Sequence, residues 1–477
     1  MSTLRFGIIS FVLFLTSSMY AQRVTGLVFD DKLYQNAARL SPSLKFTAND
    51  IPVYSLKKFC PTPGNQGNMG SCVGWATSYA ALTIAQAIRD NQTNKTVITE
   101  KAKSALYVYN QIKISGCTPG GAIIDEALEL IKEKGACEMK DFNPTTCEII
   151  PGNLENVKAK DTRIKDYFTL FDLSANEEKK VSATINSLLA KRPVVIGMNV
   201  TNSFDKVSTA GHWSPIAGES IMGGHAMCVI GFDQITKRFE IMNSWGTTWG
   251  NAGFFTISFA DFAKYCKYGY QFSIVDKPNP NNSFTFKGTF EINKLKGYDS
   301  NTDKFNYEKI KAVKGTDEYK IEGGTIVKND FFKIFARNLK IDNYLYIFSI
   351  KPDKTTELLF PSADLVDGAT VKDIPIIPSD NAYVEIPSNE RKAITADQAG
   401  ADYLVFLYSV KQIKDIDTLV KAVQNQSGTV LGRLQNIFTT GLVPSSSINY
   451  SPDYIGFSGE ATTGFIVPLI INVSVTE

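Results

Sequence analysis

The seven residues Asp276-Lys-Pro-Asn-Pro-Asn-Asn282 divide this chain more sharply than any other stretch. Proline fixes φ and removes an amide donor, and asparagine favours turns, so no helix or central strand is expected to run through them. Upstream, residues 51–275 read as helices first and strands second. Downstream, residues 284–477 read as short alternating strands with one helical interruption. The expected architecture is an α+β unit followed by an all-β sandwich, with 276–283 as linker and 22–50 as a polar lead-in.

Ala76, Tyr79, Ala80, Thr83 and Ala87 recur at helical spacing. That spacing predicts a helix from residue 72 to about 90 with one apolar face. A second helix is expected at 123–134, closed by Gly135 as its C-terminal cap. The period then changes to that of strands at 193–200, 226–232, 238–243 and 253–258. Helical lobe and antiparallel β lobe would pack as two halves. In the second unit the clearest strands are 284–292, 330–338, 343–350 and 402–410, with a helical pair near 415–438.

Residues 1–21 carry Arg5, a short apolar run and Ala21, the arrangement of a signal peptide cleaved after Ala21. The run is shorter than the ~20 apolar residues a bilayer span needs. The later run 464–471 is shorter still and holds Pro468. The reading is an exported bacterial protein, secreted, periplasmic or on the cell surface, with no transmembrane segment. Its cysteines would meet oxidising conditions. The 50 basic and 48 acidic side chains nearly cancel, which argues against a nucleic-acid partner.

Reactive chemistry concentrates in three places. Cys72 stands at the start of the first helix after a Gly-rich turn, where the helix N-terminus favours a thiolate. A cysteine nucleophile needs a base, and the chain has only two histidines, His212 and His225. His225 opens the strand pattern GGHAMCVIGF, with two glycines leaving room beside it, whereas His212 sits in a loop without flanking pattern. Asn243, in IMNSWGTTWG, can accept the imidazole N–H, and Trp245 can shield that bond from water. Each residue alone also has a plain structural reading: buried thiol, satisfied histidine, turn asparagine, core tryptophan. One histidine committed here leaves too few for a multi-histidine metal centre, so neither metal nor other cofactor is expected.

Taken together, Gln66, Cys72, His225 and Asn243-Ser-Trp-Gly resemble, in order and spacing, the papain-like cysteine peptidases. The segment 116–128 resembles the family's Gly-Gly segment, and 243–257 its final core motif. The resemblance spans roughly residues 52–275 and implies a papain-like two-lobe fold and peptide-bond hydrolysis. In that scheme Cys72 pairs as thiolate with a His225 imidazolium, the thiol falling from ~8.5 toward ~3–4. Gln66 and the Cys72 backbone N–H would hold the oxyanion, and Asn243 would orient His225. Gly120 and Gly121 would bind extended peptide through their backbone, with Ala226 and Trp245 beside it.

The sequence departs from the family in places. Val73 and Gly74 intervene before Trp75, and Met69 stands where a cysteine is common, so the usual bridge to Cys117 cannot form. A long inhibitory propeptide has no room before residue 51. Cys60, Cys117, Cys137, Cys147 and Cys266 are disulfide candidates, a bridge among Cys117, Cys137 and Cys147 being favoured, and Cys228 is expected buried and free. The second unit resembles an accessory β-sandwich of unknown role; a protein or cell-surface glycan partner is its functional reading. Two other functions share the first unit's residues: a peptide transferase or cell-wall amidase using the same thioester, and a non-catalytic scaffold.

Overall fold

The change of period near residue 193 falls inside the β lobe, whose strands Val53–Ser55 and Ile164–Thr169 precede it in the chain. The computed structural model describes residues 23–477 apart from 48, 49, 276, 278–280, 323, 324, 362, 367, 368 and 389–391. The signal-peptide reading and part of the linker lie outside the described residues.

The first helix is present but irregular. Cys72–Gly74 and Thr83–Arg89 are α-helical, and Trp75–Leu82 between them is π-helical. It does not show one apolar face: residues 72–87 are all buried. A helix buried all round is a core helix, and this one packs between Ala105–Ile112, Ile124–Lys134 and the long strand Ile221–Asp233. Small residues allow the approach; a Cβ on Gly74 would meet the Ala105 carbonyl oxygen at 2.3 Å. The second helix, Ile124–Lys134, ends at Gly135 with φ +83°. A side chain there would strike the Ala159 carbonyl.

The β lobe is antiparallel. Ile164–Thr169, Cys266–Ile274, Val194–Thr201, Ile221–Asp233, Arg238–Met242 and Phe254–Ser258 follow in that spatial order, and Val53–Ser55 also pairs with Ile221–Asp233. Both lobes together form the papain-like fold that the sequence implied.

Beyond the linker lie two facing sheets. One contains Ala382–Ile386, Phe331–Arg337, Phe284–Asp299 and Gly456–Ala461, and the other Ile466–Asn472, Tyr403–Ser409 and Tyr344–Ile350. Phe290 of the first and Phe406 of the second pack with ring centroids 4.5 Å apart. The helical pair is Ile416–Gln424 and Val430–Phe438. Against the peptidase lobes the module forms a buried Arg192–Asp342 ion pair and a Gln271 Nε2–Pro378 O hydrogen bond of 3.1 Å.

Two expectations change. The stretch 23–47 is structured, and it touches both units. Its Leu44–Phe46 joins the C-terminal sheet as a strand beside Ala382–Ile386. Of the disulfide candidates, Cys117 and Cys147 are bridged, with Cα atoms 5.5 Å apart, while Cys60, Cys137 and Cys266 are buried free thiols, as is Cys228.

Candidate active site

The turn before the first helix is shaped by local bonds. The Gly67 N–H donates to the Asn65 side chain at 2.9 Å, and Gly67 itself has φ +59°. That turn delivers Cys72 to the helix N-terminus and tucks Gln66 against the β lobe. The Gln66 N–H donates to the Ser244 carbonyl at 2.9 Å, and the Ser244 hydroxyl donates to Gln66 Oε1 at 2.7 Å. These two bonds fix the amide so that Nε2 points outward as a donor.

On the facing wall His225 lies in the strand Ile221–Asp233, fully buried. Its Nε2 is 2.7 Å from Asn243 Oδ1. Which atom donates follows from a second bond: the Ser244 N–H also donates to Asn243 Oδ1, at 2.8 Å. The asparagine oxygen is therefore the acceptor, and His225 carries its proton on Nε2. Nδ1 is left with a lone pair, buried, and without a hydrogen-bond partner among the described residues. Trp245 covers the ring with centroids 4.9 Å apart, and Phe204 packs at 5.9 Å. His212 is elsewhere engaged, its Nδ1 3.2 Å from Thr256 O and its Nε2 3.0 Å from Ser214 Oγ.

The space between these walls is occupied by the chain itself. Residues 23–29 run through it as an extended strap. Gln66 Nε2 donates to the Val24 carbonyl at 3.0 Å. The Ala122 N–H donates to the Gly26 carbonyl at 2.9 Å, the Val28 N–H donates to the Ala122 carbonyl at 3.0 Å, and the Leu27 N–H donates to the Gly224 carbonyl at 3.1 Å. Leu27 and Ala122 thus form a parallel bridge. The fit is tight: a Cβ on Gly26 would lie 2.0 Å from the Gly70 carbonyl oxygen, and one on Gly224 would lie 2.6 Å from the Leu27 carbonyl oxygen. Arg23, at the start of the strap, pairs with Asp205 at 2.9 Å.

Of the residues expected to bind peptide, Gly120 and Gly121 border this strap with φ +61° and +153°. The backbone that pairs with it is Ala122. Gly121 instead donates its N–H to the Tyr109 hydroxyl at 3.3 Å and accepts from Ile114 at 3.0 Å. The disulfide Cys117–Cys147 ties down this loop. Against the burial that raises it, the backbone of Ala226 acts to lower the Cys72 thiol's pKa.

Strap and walls leave the thiol without solvent. Burial pushes Cys72 up to about 12, while N–H groups of Ala226, Val73, Cys72 and Gly26 pull the other way. Burial likewise pushes His225 down to about 4, opposed by the Asn243 bond. In this occluded state both groups are neutral at pH 7, so the ion pair expected from sequence is absent here. Both shifts come chiefly from desolvation, and no hydrogen bond joins His225 Nδ1 to the sulfur among the described residues. Sequence reasoning did not assign Ser244, Ala122 or Gly224. Only Ser244 carries a signal, its place inside the NSWG motif.

A thiol at a helix N-terminus, an imidazole tied to a carboxamide and an outward amide donor on a two-lobe fold are the groups a cysteine peptidase site uses. Residues 56–274 match the family described as papain family cysteine protease. An uncharacterized peptidase C1-like protein of Acanthamoeba polyphaga mimivirus is 27% identical over 233 residues, 46% of this chain and 74% of that protein. A probable cysteine protease, RD21C, of Arabidopsis thaliana is 24% identical over 193 residues, 40% of either chain. Among solved structures, xylellain, a cysteine protease from Xylella fastidiosa, aligns at 22% identity and a TM-score of 0.42, covering 53% of this chain and 97% of its own. The chain therefore spans less than half of RD21C, and its own second unit lies outside the family match.

Proposed function

We infer that this protein is an exported cysteine endopeptidase held latent by its own residues 23–29. What supports the reading most is the Val24 carbonyl, which accepts a hydrogen bond of 3.0 Å from the Gln66 amide. A peptide carbonyl is thereby already seated on an oriented, buried donor, which is what an oxyanion site must offer.

With the strap displaced, water and substrate reach the sulfur and His225 Nδ1 can take the thiol proton. The thiolate adds to a substrate carbonyl carbon, and Gln66 Nε2 and the Cys72 backbone N–H receive the negative oxygen. His225 returns the proton to the leaving nitrogen as the C–N bond breaks, giving an amine and a thioester. Water, deprotonated by His225, then releases the carboxylic acid and regenerates the thiol. Asn243 keeps the imidazole facing the sulfur throughout.

The test is a peptide-library digest read by mass spectrometry, using Gly26→Ala to loosen the strap. Cleavage by Gly26→Ala and none by Gly26→Ala with Cys72→Ala supports the reading. Equal cleavage by both removes Cys72 from the mechanism.

A further inference from the structure

The strap does not end in the cleft. After Phe29 it forms the short helix Asp31–Asn36, with Tyr34 buried and its hydroxyl donating to the Phe171 carbonyl at 2.6 Å. It next runs along the edge of the peptidase sheet. The Leu40 N–H donates to the Thr169 carbonyl and the Thr169 N–H to the Ala38 carbonyl, both at 2.9 Å. It then crosses to the C-terminal module. Arg39 Nε lies 3.1 Å from Asp373 Oδ1, and the Ser41 hydroxyl donates to Asp373 Oδ2 at 2.7 Å. Asp373 is itself buried.

Leu44–Phe46 completes the crossing as an antiparallel edge strand, with Leu44 opposite Val384, Lys45 opposite Tyr383 and Phe46 opposite Ala382. The Glu385 N–H donates to the Ser43 carbonyl at 2.8 Å, and the Thr47 N–H donates to the Asn381 carbonyl at 3.0 Å. Hydrogen-bonded positions alternate in an antiparallel pair, so Lys45 faces Tyr383 in one of them. The chain returns to the peptidase lobes at Val53–Ser55.

One continuous segment therefore has its first part in the catalytic cleft and its last part in the sheet of another unit. We propose that the C-terminal two-sheet module is the anchor of the inhibitory strap: its Ala382–Ile386 edge captures residues 43–47 by strand addition, and loss of that capture opens the active site. The proposal rests on the reading of residues 23–29 as a block on a peptidase site. Its physical basis is effective concentration. Freed from the module, the far end of the strap is held only through its contacts to the peptidase lobes, among them Tyr34 with Phe171 and Leu40 with Thr169. Pinned there, residues 23–29 are presented to the cleft at far higher local concentration. A sheet edge is also a ready template for another extended chain, so whatever displaces residues 43–47 from it becomes an activator.

The test compares full-length variants by two rates: iodoacetamide labelling of Cys72 and hydrolysis of a fluorogenic peptide. Lys45→Pro removes an amide from the ladder, Asp373→Ala removes the acceptor for Arg39 and Ser41, and Ser41→Ala leaves the C-terminal module unaltered. Hydrogen exchange of residues 43–47 reports whether the strand has detached. Gly26→Ala is the reference for an open cleft. Lys45→Pro and Asp373→Ala are expected to raise both rates at least about tenfold, and Ser41→Ala about two- to fivefold. If residues 43–47 detach while both rates stay at the parent level and Gly26→Ala is active, the anchor role is overturned and the block stands. If Gly26→Ala labels rapidly but cleaves nothing, the peptidase reading itself fails.

Discussion

Ser244 joins the two halves of the site, because its hydroxyl fixes Gln66 and its N–H fixes Asn243. Losing the hydroxyl lets the Gln66 amide turn its oxygen toward the cleft. A neutral hydrogen bond is worth about 1 kcal/mol, so Ser244→Ala in the Gly26→Ala background is expected to lower kcat about five- to tenfold with KM little changed. Removing the donor outright, in Gln66→Ala, is expected to cost on the order of 100- to 1,000-fold in kcat. Steady-state kinetics separates the two, and a change confined to KM would make Gln66 a substrate clamp only. The thiol gives a pH prediction. With Cys72 pushed up to about 12 by burial, its thiolate fraction rises roughly tenfold per pH unit across neutrality. Iodoacetamide labelling of the intact chain should therefore climb from pH 7 to 10 without a plateau. In Gly26→Ala the ion pair can form, and labelling should level off at mildly acidic pH. A plateau near neutrality in the intact chain would mean that the sulfur is open to solvent.

Among elements, the strap helix Asp31–Asn36 is held by charge as well as by packing. Burial raises the Asp31 carboxyl, but Lys267 and the Tyr268 hydroxyl outweigh it and hold the group below the usual carboxylate range. A carboxyl depressed in the folded state contributes stability above its unfolded value of ~3.9, lost as pH falls through the folded value. Brief exposure below about pH 4 is thus expected to speed Cys72 labelling, and Asp31→Asn to show raised labelling already at pH 7. No acid effect in the parent would place the hold on this helix in Tyr34 packing alone. The strap was also the element least legible in the sequence. Gly26 and Ala122 act through backbone groups, and their partners are distant in the chain, so no local period marks them. Strands such as Val194–Thr201 and Tyr344–Ile350 were legible because they are short runs rich in β-branched and aromatic residues, buried almost throughout. The helix through Trp75–Leu82 was legible as a helix, but its π geometry and its burial on every side were not, since residues that face inward all round leave no distinguishing period. Cys72, His225 and Asn243 could be singled out because their chemistry restricts the residue type; Gly224, which offers only a carbonyl, could not.

For the whole molecule, what matters is how firmly the C-terminal module is seated on the peptidase lobes, since the strap is shared between them. Arg192 and Asp342 meet at that seat with side chains only 10% and 5% exposed. Lys165 Nζ adds a bond of 3.4 Å to the Asp342 carbonyl. A buried pair is weak evidence for stability, because desolvation offsets its attraction, yet breaking it leaves an uncompensated charge at a cost of about 3–5 kcal/mol. Arg192→Ala is therefore expected to lower the unfolding free energy by that amount, while Arg192→Met with Asp342→Leu loses far less. The position of the pair adds a second consequence. If the module lets go before the peptidase lobes unfold, residues 43–47 leave with it, and Cys72 of Arg192→Ala should become reactive at temperatures where near-UV circular dichroism still reports native tryptophan packing around His225. Labelling that rises only together with loss of that signal would show that seat and cleft melt as one unit.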